Sequence, residues 1–311
     1  MKIIEYPLER ELDASLAIAL GIFDGVHLGH RRLIELTVSE AKRRGLTPAV
    51  FTFPAEGGFK GAAPIYSTEE KLRLLSSLGI EVAIVADFPR TFGIEAEDFL
   101  TRVLACELKC GFAAAGYNFR FGKGAAGDAV LMRDTLSSLA IDCVVLEEQR
   151  WQGKELSSTV IRELLSEGKA REAAELLGSP YRISSVVERG LGIGHCHGFP
   201  TVNTPVMAGI PLRAGVYATL VKLHRSEKLY TGVTNVGVCP TFGERELHAE
   251  TMLVDFSGDL YGEPITLYFL EFLRDEERFS SPTSLREQIY SDAERARIIT
   301  KRGHENGWKL D

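Results

Sequence analysis

The sequence predicts an α/β protein in two parts: an N-terminal doubly wound parallel sheet, then a C-terminal antiparallel β-barrel with a terminal helix. Three observations carry this. Short apolar runs alternate with amphipathic ones through the first half of the chain. After Gly178-Ser179-Pro180 the pattern changes to apolar/polar alternation between turn residues. The 311 residues suffice for about two domains at roughly 100–200 residues each.

In the first half, residues 16–22, 48–53, 82–86, 111–116 and 142–146 read as buried strands. Helices are expected near 30–44, 67–78, 95–109 and 127–140. Ser67-Thr68-Glu69-Glu70 is a capping box ahead of the apolar pattern Leu72, Leu75, Leu78. Two short helices are expected over 158–167 and 170–177. The loop signal at 178–180 then sets the boundary between domains 1–180 and 181–311. Beyond it, 216–221, 249–256 and 265–272 alternate as strands of a barrel or sandwich do. A final helix is expected from Ser284, with Glu287 completing a second capping box.

Composition narrows the function. Hydrophobic residues at 45% and charged residues at 25% exclude a disordered or collagen-like chain. A net charge of -7 argues against a polynucleotide partner, which would call for a basic stripe. The cysteines, at 106, 110, 143, 196 and 239, are odd in number and form no secreted framework, which points to a reducing compartment. Residues 1–13 hold no apolar core of signal-peptide length, and the run 16–23 is far below the ~20 residues that span a bilayer. A cytoplasmic protein without a membrane or nucleic-acid partner is expected.

The first chemical site is Gly21-Ile22-Phe23-Asp24-Gly25-Val26-His27-Leu28-Gly29-His30, where the first buried strand turns into a helix. Ligands of open parallel sheets bind at the carboxyl ends of strands, and a helix N-terminus there offers N–H groups to an anion. Gly25 and Gly29 permit close backbone approach, and His27 and His30 can both face a phosphate chain. A Gly-rich turn with exposed histidines is the simpler alternative. Further on, Gly116-Tyr117-Asn118-Phe119-Arg120-Phe121-Gly122-Lys123 suits a loop closing over phosphates, or a surface turn. In Ser157-Ser158-Thr159-Val160-Ile161-Arg162 the hydroxyls suit a helix start, and Arg162 lies one turn in with a fork for an anion.

The second site lies in the barrel. Gly190-Leu191-Gly192-Ile193-Gly194 is glycine-rich without the Rossmann spacing, and Gly198-Phe199-Pro200-Thr201-Val202-Asn203 follows. In an extended segment Thr201 and Asn203 share a side and offer hard oxygens suited to Mg²⁺. Glu250 shares a strand face with Met252, Val254 and Phe256. A carboxylate on an apolar face is disfavoured as structure and suited to a general base; a solvent-exposed rim position is the alternative. His195-Cys196-His197 lacks a second pair at zinc spacing, and Cys106 and Cys110 read as core thiols.

Together these segments, with Gly232-Val233-Thr234-Asn235-Val236-Gly237, Pro240-Thr241-Phe242, Asp259-Leu260-Tyr261-Gly262 and Leu273-Arg274, resemble the bacterial bifunctional riboflavin kinase/FMN adenylyltransferase (FAD synthetase) family, in its order, from about Leu16 to Arg297. The resemblance implies that Gly21, Phe23, Asp24, Gly25, Gly29, Asn118, Ser158, Thr159 and Arg162 bind ATP around a catalytic His27 and His30. It implies a kinase nucleotide on Gly192, Gly198 and Pro200, flavin on Asn235 and Arg274, metal and ATP on Thr201 and Asn203, and Glu250 as base toward the ribityl 5′-hydroxyl. Mg²⁺, ATP as substrate, and the small molecules riboflavin, FMN and FAD are implied with them. The sequence departs from the family after the second buried strand. Where Pro-His-Pro is usual, Phe53-Pro54-Ala55-Glu56-Gly57-Gly58 has no histidine and a carboxylate stands nearby. A kinase with a degenerate adenylyltransferase half, and a non-enzymatic flavin-binding regulator, are the alternatives.

Overall fold

The structure is a computed structural model and describes residues 1–9, 12–56, 62–151, 153–188, 201–207, 209–238, 247–305 and 310. The chain divides into two compact units, Met1–Ala62 with Tyr66–Ser158, and Ala63–Ile65 with Thr159–Asp311.

In the first unit, strands β1 (Lys2–Tyr6), β2 (Leu16–Leu20), β3 (Thr47–Thr52), β4 (Val82–Ala86), β5 (Cys110–Gly116) and β6 (Asp142–Leu146) form one parallel sheet in the order β1-β4-β3-β2-β5-β6. Central β2 is buried at every position. Its Leu16, Ile18 and Leu20 join Phe51, Ile84 and Ala113 in a core completed by Phe99, Leu100 and Met132. Ala17 and Ala19 point the other way, as the two-residue period of a strand requires. The helix α1 (Leu28–Arg44), which buries Leu33, Ile34 and Ala41, packs on β2, β3 and β5. The sheet is thus covered on both faces, as doubly wound sheets are.

Helix α2 (Thr68–Ser77) begins at the expected cap, where the Ser67 hydroxyl accepts from Glu70 N at 3.2 Å. Short helices α3 (Phe88–Thr91) and α4 (Ala96–Asp98) follow β4. The segment expected as one helix over 95–109 continues from α4 as a π-helix, Phe99–Glu107. Helix α5 (Ala129–Ser138) precedes β6. Edge strand β1 was not among the expected strands: its charges leave only Tyr6 buried. Cys110 is buried as expected, whereas Cys106 is exposed.

Helix α6 (Ser158–Ser166) starts on the last residue of the first unit and continues into the second, where α7 (Ala170–Leu177) follows. Strands β9 (Tyr181–Val186), β10 (Thr201–Pro205), β11 (Gly215–Leu223), β12 (Lys228–Val238), β13 (Leu247–Leu253) and β14 (Pro264–Arg274) are numbered after a small hairpin, β7 (Arg150–Trp151) and β8 (Lys154–Glu155), in the first unit. The six form an antiparallel sheet in the order β10-β13-β12-β11-β14-β9. Glu188, just past β9, donates its N–H to Asn203 O of β10 at 2.8 Å and closes the two edges into a barrel. On one face Thr219, Thr234 and Thr251 form a buried hydroxyl ladder with spacings of 2.8 and 2.9 Å. On another, Val216, Ala218, Val233 and Val254 pack against Ala293 and Ala296 of α8 (Pro282–Glu305). The cap of α8 is Ser281, whose hydroxyl accepts from Ser284 N at 3.1 Å. The helix therefore starts earlier than expected, with Ser284 already in its first turn. No helix among the described residues is long and apolar enough to cross a membrane.

Candidate active sites

In the parallel sheet the chain leaves β2 toward β3 and β4 on one side and toward β5 and β6 on the other, so the strand order reverses between β2 and β5. Ligands bind at such a switch point, outside the carboxyl ends. Two of the three sequence segments singled out in this half, 21–30 and 116–123, leave those two strands there.

After β2, Phe23 takes a left-handed conformation (φ 55°), and Gly25 (φ 79°) and Val26 (φ 41°) follow in a tight turn. His27 caps α1, its Nδ1 accepting from His30 N at 3.4 Å. A neutral imidazole that accepts at Nδ1 carries its proton on Nε2. The rings of His27 and His30 stack at 3.6 Å with 17° between planes. Gly29 makes room for this: a Cβ there would lie 3.3 Å from the His27 ring. Phe23, fully buried, meets His30 edge-on at 5.3 Å, so its side chain shapes the turn from beneath. Burial pushes His27 down to about 4. Burial, with His27 and the Lys71 ammonium nearby, holds His30 well below the usual histidine range. At neutral pH both rings are uncharged hydrogen-bond donors.

The later segments meet this turn in part. The hydroxyl of Ser158, the last residue of the same unit, donates to Asp24 O of the turn at 2.8 Å. Asn118 is exposed on a turn closed by Phe119 N to Gly116 O at 3.0 Å. Lys123 opens a short 3-10 turn, Lys123–Ala125, after β5. Its ammonium pairs with Glu95 at 3.1 Å, and Gly122 fits so closely on Ala96 that a Cβ would come within 2.6 Å of its Cα. Thr159 and Arg162 belong to the second unit, where Arg162 Nε donates to Ala63 O at 2.5 Å.

Beside the turn a cavity of about 1250 Å³ opens at the carboxyl ends of β1, β3 and β4. Gly21, Phe53, Pro54, Phe88, Phe92, Phe119 and Phe121 are among the residues that line it. Its aromatic walls are a feature the sequence reading missed. The carboxylate that stands near the missing histidine is engaged within the protein: Glu56 accepts from Thr68 N at 2.8 Å and from the Thr68 hydroxyl, at the N-terminus of α2.

In the barrel, pairing places Asn203 opposite Glu250, Glu250 opposite Asn235, Asn235 opposite Val216, and Val216 opposite Arg274. Directly paired residues share a face, so four residues named from sequence stand in one cross-strand row. Thr201 joins them, its hydroxyl donating to Glu250 Oε1 at 2.7 Å. Glu250 is half-buried, between the core and rim positions weighed from sequence. Asn235 Nδ2 donates to Glu276 at 2.8 Å, while its buried Oδ1 accepts nothing among the described residues. Arg274, expected at the flavin, is engaged within the protein: Nε and Nη2 hold Asp292 of α8 at 2.9 Å, and Nη1 holds Asp275 O at 3.0 Å. Gly192, Gly198 and Pro200 lie outside the described residues.

A riboflavin kinase family model matches residues 177–300 and an FAD synthetase family model matches residues 9–160. The chain is 34% identical to the bifunctional riboflavin kinase/FMN adenylyltransferase of Escherichia coli (strain K12), covering 96% of this chain and 97% of that protein. It belongs to the bifunctional riboflavin kinase/FMN adenylyltransferase family. The Bacillus subtilis (strain 168) member is 35% identical over 93% of this chain and 94% of its own. The crystal structure of a macrolide-efflux protein from Streptococcus pneumoniae superposes with a TM-score of 0.83 at 26% identity, covering 96% of this chain and 99% of that one. The two family matches assign the parallel sheet to the FAD synthetase part and the barrel to the riboflavin kinase part.

One functional candidate escaped the sequence reading. Lys71 of α2 is buried against the exits of β2 and β3. The available signal was its helical phase with Leu74, Leu75 and Leu78, which puts a lysine on an apolar stripe.

Proposed function

We propose that this chain makes FAD in two ATP-dependent steps, the barrel phosphorylating riboflavin to FMN and the sheet unit transferring an adenylyl group to FMN. The row Asn203, Glu250, Asn235 with Thr201 bonded to Glu250 is the observation that carries the kinase assignment. In the first step Glu250 takes the proton of the ribityl 5′-hydroxyl as that oxygen bonds to the γ-phosphorus of ATP, and ADP leaves. The Thr201 hydroxyl orients the carboxylate. Thr201 and Asn203 supply neutral hard oxygens beside a carboxylate, a donor set that fits Mg²⁺ sharing its shell with substrate phosphates. Bound there, Mg²⁺ would spread the negative charge of the transferring phosphoryl group. Asn235 Oδ1, buried and without a donor among the described residues, is suited to a flavin or ribityl donor.

In the second step an FMN phosphate oxygen bonds to the α-phosphorus of a second ATP and the bond to the β-phosphate oxygen breaks, releasing pyrophosphate. No protein nucleophile and no net proton transfer are required. The neutral His27 and His30 and the N-terminus of α1 donate hydrogen bonds to the charge gathering on the α-phosphate. The aromatic cavity suits the planar flavin ring. A reducing cytoplasm, where ATP is present, is the setting we infer; Cys106, Cys110 and Cys143 are free thiols.

The test is riboflavin with Mg-ATP, read by chromatography for FMN and FAD in time order. FMN should rise first and FAD follow. FMN without FAD at excess ATP would leave a kinase alone, the reading favoured by the missing histidine before Gly57. Neither product, with tight flavin binding, would leave a regulator.

A further inference from the structure

Lys71 is 1% exposed, and its ammonium has three protons and three acceptors. Phe53 O lies at 2.5 Å, Ile22 O at 3.2 Å and the Thr52 hydroxyl at 3.3 Å. The Thr52 hydroxyl in turn donates to Ile22 O at 2.9 Å. Ile22 leads directly into the left-handed Phe23 and the turn that carries His27 and His30. Phe53 begins the aromatic wall of the cavity. One ammonium therefore joins the phosphate turn to the flavin wall.

Stability does not explain a cation here. Burying an ammonium is costly, and an apolar side chain of similar length would fill the space without that cost. The charge does act on its surroundings. The carboxylates of Asp24, in the turn, and Glu56, in the loop after β3, favour it, and it disfavours protonation of His30 on α1. A fixed positive charge behind two neutral imidazoles favours a negative charge arriving in front of them.

We propose that Lys71 is a positioning residue for adenylyl transfer, locking the β2–α1 turn to the end of β3 and holding a buried positive charge behind the α-phosphate site. This rests on the reading of the sheet unit as the adenylyltransferase. Burial lowers the ammonium to about 8, against the pull of Asp24 and Glu56. The titrating groups that face it are those two carboxylates and His30, and His30 lies far below that pH.

The experiment uses the full chain and has two arms. In the first, kcat/KM for FAD formation from FMN and Mg-ATP is followed from pH 6.5 to 9.5. It should fall above pH 8 with one deprotonation, about tenfold per pH unit at the alkaline end, while FMN formation on the same samples shows no such limb. In the second, Lys71→Met should lower kcat for FAD formation about 10²-fold, the scale of a misplacement near 1 Å. KM for FMN and ATP should stay within a few-fold, FMN formation should be unchanged, and the alkaline limb should vanish. Near-UV circular dichroism and urea unfolding check that the variant folds; if it does not, the limb of the parent decides. A parent that makes FAD with no loss between pH 7 and 9.5, or a folded variant within threefold of it, overturns the role of Lys71 alone. A parent that makes no FAD at any pH overturns the adenylyltransferase reading and this proposal with it.

Discussion

Glu250 and Thr201 share a hydrogen bond of 2.7 Å, so their substitutions should fail differently. Glu250→Gln keeps the shape and can still accept from Thr201, but it cannot take a proton. FMN formation should fall by about 10²–10⁴ while FAD formation from supplied FMN continues; a variant within a few-fold of the parent would remove Glu250 as base. Thr201→Ala and Asn203→Ala each delete one hard oxygen from a metal that tolerates little change in geometry. A Mg²⁺ titration of FMN formation should shift to higher concentration in both, and an unchanged curve would contradict the assignment. These residues were legible because alternation on one strand put a carboxylate among apolar neighbours. Lys71 was not, since a lone lysine between Glu70 and Leu72 reads as a solvated helix position until the β2 and β3 exits are seen around it.

The N-terminus of α1 is held by two uncharged histidines, and this makes the element sensitive to acid. His27 titrates near 6.5 when unfolded and near 4 when folded. Between those values the unfolded chain binds more protons, so stability falls as pH drops through that window. The loss for His27 alone is on the order of 3 kcal/mol by pH 4, and His30 shifts in the same direction. Calorimetry at pH 7 and pH 4.5 should show the sheet unit losing melting temperature; an unchanged transition would mean that the rings titrate in the folded chain as they do in the unfolded one. At this scale much of the architecture was readable. β4 and β6 fall on the expected residues, and the Ser67 cap on the expected hydroxyl. The misses have physical reasons. β1 is an edge strand with little to bury. β12 buries Thr234 through hydroxyl partners and so lacks an apolar signature. In the π-helix the buried Phe99, Leu100, Val103 and Leu104 recur one and four residues apart, spacings that an α-helical stripe also shows.

The whole molecule is not a simple tandem of sequence halves, because Ala63–Ile65 belongs with the barrel unit while the residues on both sides of it belong with the sheet. Ile65 is fully buried, its carbonyl accepts from the Tyr181 hydroxyl at 3.1 Å, and Ala63 O accepts from Arg162. A fragment beginning at residue 159 lacks this strap. It loses the burial of one isoleucine, ~1.5–3 kcal/mol, and the hydrogen bond from the Tyr181 hydroxyl, ~0.5–1.5 kcal/mol. Its FMN-forming activity should therefore disappear at lower urea than that of the full chain; equal midpoints would show that the strap contributes nothing. A cut at 180 would remove α6 and α7 as well.

The strap also sets a schedule for synthesis. Ala63 is 99 residues ahead of Arg162, and Ile65 is 116 ahead of Tyr181. At about 5–20 residues per second, the ribosome delivers those partners roughly 5–25 s later. During that interval an isoleucine meant for full burial has no barrel to enter. The sheet unit ends at Ser158, before Tyr181 has been made, so a strap that lies between two of its own segments has to wait for residues of the barrel unit.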